Sequence, residues 1–238
     1  MSKKITYLFV LMVSVALYSC QKIPGHVIQP GAGSSSSSGS TGGAGSTTSG
    51  TYSPVTTGTY WTYKVVLGTS VDTTTNTMSG STTTINNKIY SVVNAKSVTN
   101  GASLGYFSNV NHVYTLASPV PGSVLILEFQ YLIDNVAVGA NWTTLLSPSG
   151  TINGVPARLL GQITEIGINK TVMGVTFNNV IHTTLQLQYN YGSGYQTNTT
   201  YDYYVAKGIG IIEIDSIVGL PGFPSVTGQT AIISYKIN

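Results

Sequence analysis

Period-two alternation runs along most of this chain and restricts it to strands. Leu185, Leu187, Tyr189 and Tyr191 alternate with Gln186, Gln188 and Asn190. Leu125, Leu127, Phe129, Tyr131 and Ile133 make an unbroken apolar row, opposed by a row holding Glu128 and Gln130. Trp61, Tyr63, Val65 and Leu67 share a further face, opposite Tyr60, Thr62, Lys64 and Val66. Side chains two apart project to the same side of a strand, so each apolar row reads as the buried side of a half-buried strand. Further strands are expected over 71–77, 81–86, 88–98, 104–117, 141–147, 157–167, 171–183, 200–206, 208–215 and 229–237. Between them fall turn signals: Ser79-Gly80, Asn100-Gly101, Pro121-Gly122, Asn153-Gly154, Gly192-Ser193-Gly194 and Pro221-Gly222. No window carries an apolar 3.6-residue period with caps. The expected fold is all-β and antiparallel, a sandwich or an open barrel of roughly 10–13 strands.

The two tryptophans sit in matching surroundings. Val55-Thr56-Thr57-Gly58-Thr59-Tyr60-Trp61-Thr62 aligns with Val136-Ala137-Val138-Gly139-Ala140-Asn141-Trp142-Thr143, with Val, Gly, Trp and Thr at the same spacing. Each copy enters a strand after a glycine turn. The alignment predicts a duplicated unit, with pseudo-repeats over 51–134 and 135–238 and both indoles buried. Gly58, Trp61, Gly139 and Trp142 are therefore structural candidates.

Residues 51–238 form the expected single domain, and what precedes them is different in kind. Lys3 and Lys4 lead an apolar run from Ile5 to Leu17, about 13 residues and short of the ~20 that span a bilayer. A basic end, a short apolar core and a small residue before the cut make a secretory signal over 1–19. Leu17-Tyr18-Ser19-Cys20 resembles the lipobox of bacterial lipoproteins, with Tyr18 departing from the usual residue at its position. The resemblance implies a diacylglycerol thioether on Cys20 and a further fatty acyl chain on its amine, enough for stable anchoring. Gln21 is not acidic and no acidic cluster follows, which points to the outer membrane facing the periplasm, with the cell surface as the alternative. From Gly31 to Gly50 only Gly, Ala, Ser and Thr occur, so 20–50 reads as a lipidated end and a disordered tether with nothing to bury.

Charged residues are only 7% of the chain. The formal charge of +3 includes Lys3 and Lys4, and the remaining lysines are scattered. No basic patch for nucleic acid exists.

Gly58-x-x-Trp61-x-Tyr63 near the domain start and Tyr203-Tyr204-Val205-Ala206-Lys207-Gly208-Ile209-Gly210-Ile211-Ile212 near its end resemble a pattern in poorly characterised β-rich bacterial lipoproteins. Some of these resemble the open barrels of the LolA/LolB lipoprotein carriers, which implies an apolar ligand held inside a barrel. Those carriers cover the barrel with helices, for which this chain offers no segment.

Candidate chemistry is sparse. Gly101-Ala102-Ser103-Leu104-Gly105 is a G-x-S-x-G string, with Asp134 and His182 following in hydrolase order. A nucleophile elbow needs a strand-to-helix turn, whereas Val98–Gly101 reads as a plain turn and 106–109 is not helical. His112 and His182 lack a second ligand at metal spacing and read as turn or strand-surface residues. Glu213 and Asp215 share a strand face that reads as an edge emerging into solvent. Gly208-Ile209-Gly210 starts no helix. Ile209 and Ile211 fall on one parity and Ile212 and Ile214 on the other, which predicts a β-bulge or barrel corner beside Gly208 and Gly210.

The tyrosines at 189, 191, 195, 201, 203 and 204 form either a cross-strand ladder or an aromatic platform for a ligand. Tyr189, Tyr191, Tyr201 and Tyr203, with Phe223 from the apolar stretch Ile217–Pro224, are the ligand-binding candidates. That stretch is expected to plug one end of the β-structure or to present a contact surface.

The expectation is a non-catalytic, lipid-anchored envelope protein with no metal or cofactor, acting by binding or structural interaction. Its partner would be a protein, a glycan or an apolar small molecule. A carrier of an apolar ligand is the first alternative and a serine hydrolase the second.

Overall fold

A computed structural model describes residues 50–220 and 223–238, so Cys20 and the tether lie outside the described residues. Thirteen strands follow in chain order. They are β1 Tyr60–Leu67, β2 Ser70–Ile85, β3 Lys88–Ser97, β4 Gly101–Val110, β5 Val113–Pro119 and β6 Ile126–Ile133. Then come β7 Asn141–Thr144, β8 Thr151–Ile152, β9 Val155–Val172, β10 Val175–Asn190, β11 Tyr195–Ala206, β12 Gly210–Leu220 and β13 Phe223–Lys236. All pairings are antiparallel, and the sheet runs β6-β5-β4-β3-β2-β1-β13-β12-β11-β10-β9-β7, with β8 a short partner of β9. The result is a nearly closed barrel.

This order splits into two six-stranded meanders, β1 to β6 and β7 with β9 to β13. They meet at two seams. At one, β1 pairs with β13 over the whole of β1, from Tyr60↔Lys236 to Leu67↔Gly228. At the other, the Glu128 N–H of β6 donates to the Leu146 carbonyl just beyond β7, at 2.8 Å. Each meander opens on the same backbone turn. Gly58 N–H donates to Met78 O and Met78 N–H to Thr59 O; Gly139 N–H donates to Ile163 O and Ile163 N–H to Ala140 O. Gly58 (φ 79°) and Gly139 (φ 88°) occupy left-handed backbone that a side chain would strain.

Some expected boundaries moved. The expected strands 71–77 and 81–86 are one strand, β2, and Ser79-Gly80 is a bulge where the register slips between Met78 and Thr82. The single strand expected over 104–117 is two, joined at Asn111 (φ 51°) and His112 (φ 67°), residues that tolerate the left-handed region without glycine. The turn at Met173 and Gly174 likewise ends β9 and starts β10 inside the expected strand 171–183. Ile217–Leu220 extend β12 and β13 begins at Phe223, so the apolar stretch belongs to a hairpin rather than a plugging loop.

Alternation decides what fills the barrel. Leu185, Leu187 and Tyr189 of β10 are buried, together with Tyr201, Tyr203 and Val205 of β11. Tyr131 of β6 stacks on Tyr203 with centroids 5.8 Å apart, and Phe129 meets Tyr201 edge-on at 6.4 Å. β6 and β11 are far apart in the strand order, so these rings touch across the interior. A second cluster gathers Trp61, Tyr63, Val65, Met78, Ile212 and Ile232. Each such side chain contributes about 1.5–3 kcal/mol on burial. The parity change at Ile211 and Ile212 is a bulge: Tyr204 pairs with Glu213 but Val205 with Ile211, and the two isoleucines join different clusters.

Two hairpin tips fold back over the sheet as straps. The tip between β2 and β3 reaches Glu128 on β6, whose carboxylate accepts from Asn86, from Lys88 at 2.8 Å and from Tyr90 at 2.6 Å. The tip between β9 and β10 reaches β12 and β13: Lys170 pairs with Glu213 at 3.1 Å, and Phe177 packs on Tyr235 at 6.1 Å. Both glutamates are buried, whereas Lys88 keeps contact with solvent and Lys170 is partly covered, so each strap ends on a buried carboxylate met by a cation from the tip.

Candidate functional site

Residues directly opposite in a ladder share a face, so register shows which polar groups converge. On β10 the odd residues 183–189 enter the core and the even ones face away from it. One row on this outward face runs Glu165, His182, Tyr204, Glu213 and Ala231, through β9 to β13. The next runs Gln162, Thr184, Asp202, Asp215 and Gln229. A third, toward the β10–β11 turn, holds Arg158, Gln188 and Thr197. Four of the chain's seven carboxylates therefore lie in one strip, together with Lys170, His182 and Arg158.

His182 is the centre of the strip. Its Nδ1 lies 2.9 Å from Glu165 Oε2 and its Nε2 2.9 Å from Asp202 Oδ1. Ionised carboxylates only accept, so both bonds form together when both nitrogens donate, that is, when the ring is an imidazolium. Burial alone would lower its pKa, but the hydrogen bonds to Asp202 and Glu165 outweigh this and raise it. Asp202 is lowered, first by that hydrogen bond. The imidazole stacks on Tyr204 at 4.3 Å, and Lys170 Nζ sits 3.6 Å from the centroid of the same tyrosine. Gln229 Nε2 donates to Glu213 Oε1 at 2.8 Å and to Asp215 Oδ1 at 3.1 Å. Beside them Val66, Asp202, Asp215, Ser216 and Gln229 line an open depression of about 390 Å³.

This geometry clamps strands and leaves little for acid–base chemistry. Glu213 is buried and paired, and β12 is an interior strand, so the expected solvent-facing edge at Glu213 and Asp215 is not what forms. Both nitrogens of His182 are occupied. Asp134 accepts from Tyr114 Oη at 2.7 Å and lies 2.6 Å from His112 Nδ1. The Ser103, His182 and Asp134 constellation is thus not assembled, and Ser103 sits inside β4 opposite Ala95. Among the described residues no group of three or more His, Cys, Asp or Glu side chains is placed to hold a metal ion, and no helix is long and apolar enough to cross a membrane.

The tyrosine candidates divide by parity. Tyr189, Tyr201 and Tyr203 are core residues at 2%, 5% and 4% exposure, so they fill the barrel and offer no surface. Tyr191, stacked on Tyr189 at 5.9 Å, is half exposed, and Tyr195 stands out beside Arg158. Phe223 lies in β13, and its side chain falls outside what is described. Gly208 (φ 77°) forms the turn between β11 and β12. Gly210 (φ 102°) takes the left-handed backbone that starts β12, beside the indole of Trp61 and the ring of Pro54.

The expectation of two equally buried indoles does not hold. Trp61 is 3% exposed and donates from Nε1 to Ile209 O at 2.6 Å. Trp142 is half-buried on the four-residue β7, lies flat over Gly161 and has no partner for Nε1. The sequence carries no local signal for Arg158 or for the convergence of Glu165 and Asp202 on His182, because their partners lie on other strands.

The architecture is that of an antiparallel, nearly closed β-barrel. No family model matches the chain, and no curated protein matches it. Two solved structures are similar in fold. One, from Bacteroides fragilis, is described as an exported protein with a YmcC-like fold; it is 7% identical, with a TM-score of 0.46, over 77% of this chain and 97% of that one. The other, from Parabacteroides distasonis, is described as a lipoprotein; it is 10% identical, with a TM-score of 0.46, over 79% of this chain and 99% of that one.

Proposed function

We propose that this is a non-catalytic cell-envelope protein, anchored by acyl chains on Cys20 at the outer membrane, that acts by binding at the outward face of β9–β12. The observation that carries this reading is a division of labour. Stacked rings fill the barrel, whereas four of seven carboxylates, His182, Lys170 and Arg158 converge on one outer strip. A carrier would keep its interior free for an apolar guest. Residues 20–50 act as a tether that holds the barrel off the bilayer, and the two meanders are copies of one unit.

Native mass spectrometry of the full chain, extracted in detergent, tests the binding mode. The expected mass is the acylated polypeptide alone. A further stoichiometric lipid that survives delipidating washes would establish the carrier reading instead. The anchor is tested separately by Cys20→Ala, which is expected to move the protein from the membrane to the soluble fraction.

A further inference from the structure

We propose that Arg158, on the outward face of β9 beside the β10–β11 hairpin, receives the carboxylate of an otherwise uncharged ligand, an acidic saccharide. The proposal rests on the binding reading above and gives a ligand class to one end of that surface.

Arg158 is the sole arginine of the chain. All seven carboxylates engage other groups, and none engages Arg158. The guanidinium is nevertheless held in place. Its Nε donates to Gln188 Oε1 at 2.9 Å. Gln188 is 9% exposed, and its own amide nitrogen donates to Thr197 Oγ1 at 3.0 Å. Thr197 Oγ1 donates in turn to Gln186 Oε1 at 3.2 Å. This relay fixes which end of the Gln188 amide faces the arginine. The ring centroid of Tyr195, a residue 37% exposed, lies 4.1 Å from the guanidinium carbon.

A surface arginine without a counter-charge ordinarily keeps its rotamer freedom, and ordering it costs entropy. Here two neighbours order it, and among the described residues no partner falls on its two terminal nitrogens. Those nitrogens form a planar fork that matches the two oxygens of a carboxylate. Preorganisation of this kind lowers the cost of binding.

The surroundings narrow the ligand. On the same outward face the hairpin carries Gln186, Thr197 and Asn190, all exposed or half-buried neutral hydrogen-bonding groups suited to hydroxyls, with Asn190 Oδ1 accepting from the Gly192 and Gly194 N–H groups. No second cation lies on the hairpin, and Lys170 is committed to Glu213. One positive charge suits a carboxylate better than a phosphate dianion.

A chain with one arginine gives one arginine Nε–Hε resonance, which makes the test direct. The full chain in detergent micelles is titrated with the methyl glycoside of galacturonate, with its methyl ester and with inorganic phosphate. The expected result is a saturable shift of that resonance by the galacturonate glycoside, with a Kd on the order of millimolar. The ester and phosphate should each bind at least tenfold more weakly. Arg158→Lys keeps the charge but removes the fork, and should weaken the saccharide response of neighbouring amides at least tenfold while distant amides keep their positions. No saturable shift, equal binding of the ester or of phosphate, or full binding by Arg158→Lys would each overturn the proposal. None of these outcomes touches the broader reading, which stands or falls on what occupies the barrel interior.

Discussion

Trp61 and Trp142 stand on the same backbone turn, yet only the first is closed over by a neighbouring strand. β13 covers β1 along its whole length, and the indole of Trp61 is sealed with its N–H bonded to Ile209 O. β7 has four residues, and β6 reaches that region through one backbone bond to Leu146. Its indole rests on Gly161 with an unpaired N–H. A short sequence motif can therefore specify how a strand begins without specifying what its side chains meet. That second property comes from whichever strand arrives at the seam.

Truncating the indoles tests the contrast most strongly. Trp61→Ala should cost about 3–5 kcal/mol in a urea melt, because a sealed site cannot collapse around the loss. Trp142→Ala should cost about 1–2 kcal/mol, since a half-buried ring gives up correspondingly less apolar area. Equal losses would break the comparison. Next comes Gly161→Ala, whose new Cβ would overlap the Trp142 indole at Cε2 and push the ring away. It should cost about 1–3 kcal/mol, and in a Trp142→Ala background most of that penalty should vanish. The turn glycines come third. Gly139→Ala meets only backbone strain, about 1–2 kcal/mol, as its Cβ would touch nothing within 4 Å. Gly58→Ala adds a contact 2.7 Å from Asn238 Nδ2 and should destabilise more.

The smallest expected effect separates the straps by pH. In the second meander His182 is raised in the fold, as burial is outweighed by Asp202 and Glu165. Its contribution is complete below the ordinary histidine range, about 6.5, and is lost as pH rises through the raised value. In the first meander Glu128 is lowered, since burial is outweighed by Asn86, Lys88 and Tyr90. Its contribution is complete above the ordinary carboxylate range and is lost as pH falls through the lowered value, as is that of Asp202. Mild alkali should thus speed amide exchange around His182, beyond the intrinsic base-catalysed rate, and spare β2 and β3. His182→Gln should remove that difference. Equal loosening of both straps would sink it.

Much of the barrel was legible because alternation states which residues share a face. The row at 61–67 lies wholly in a strand, those at 125–133 and 185–191 overrun theirs by one residue each, and the isoleucine parity change marked a bulge. Two things were hidden. Asn111-His112 and Met173-Gly174 turn the chain without a strong local signal, since Asn and His reach left-handed backbone at modest cost and no polar cluster flanks the glycine. The charged strip was hidden for a deeper reason. Glu165, His182, Asp202 and Glu213 become neighbours only through the registers of four strands, and a one-residue slip would send any of them to the other face. The aromatic cluster showed the converse: Tyr189, Tyr201 and Tyr203 were visible as a group, but alternation alone does not say which face of a barrel strand is the interior.

The pairing of β1 with β13 has a kinetic consequence. Eleven of the twelve pairings among the described strands are local, so each meander can zip up hairpin by hairpin, about 1–10 μs per hairpin. The joining seam is different: its partners are the first long strand and the last, and Asn238 at the C-terminus donates to Thr59 and Thr57 at the entry to β1. A chain emerging N-terminus first must therefore carry β1 as an open edge until everything else has followed. Such non-local closure is slow, and an unpaired edge invites association with other chains. The arrival of β13 thus decides when β1 ceases to be an open edge, because its free side pairs with that strand alone among the described ones.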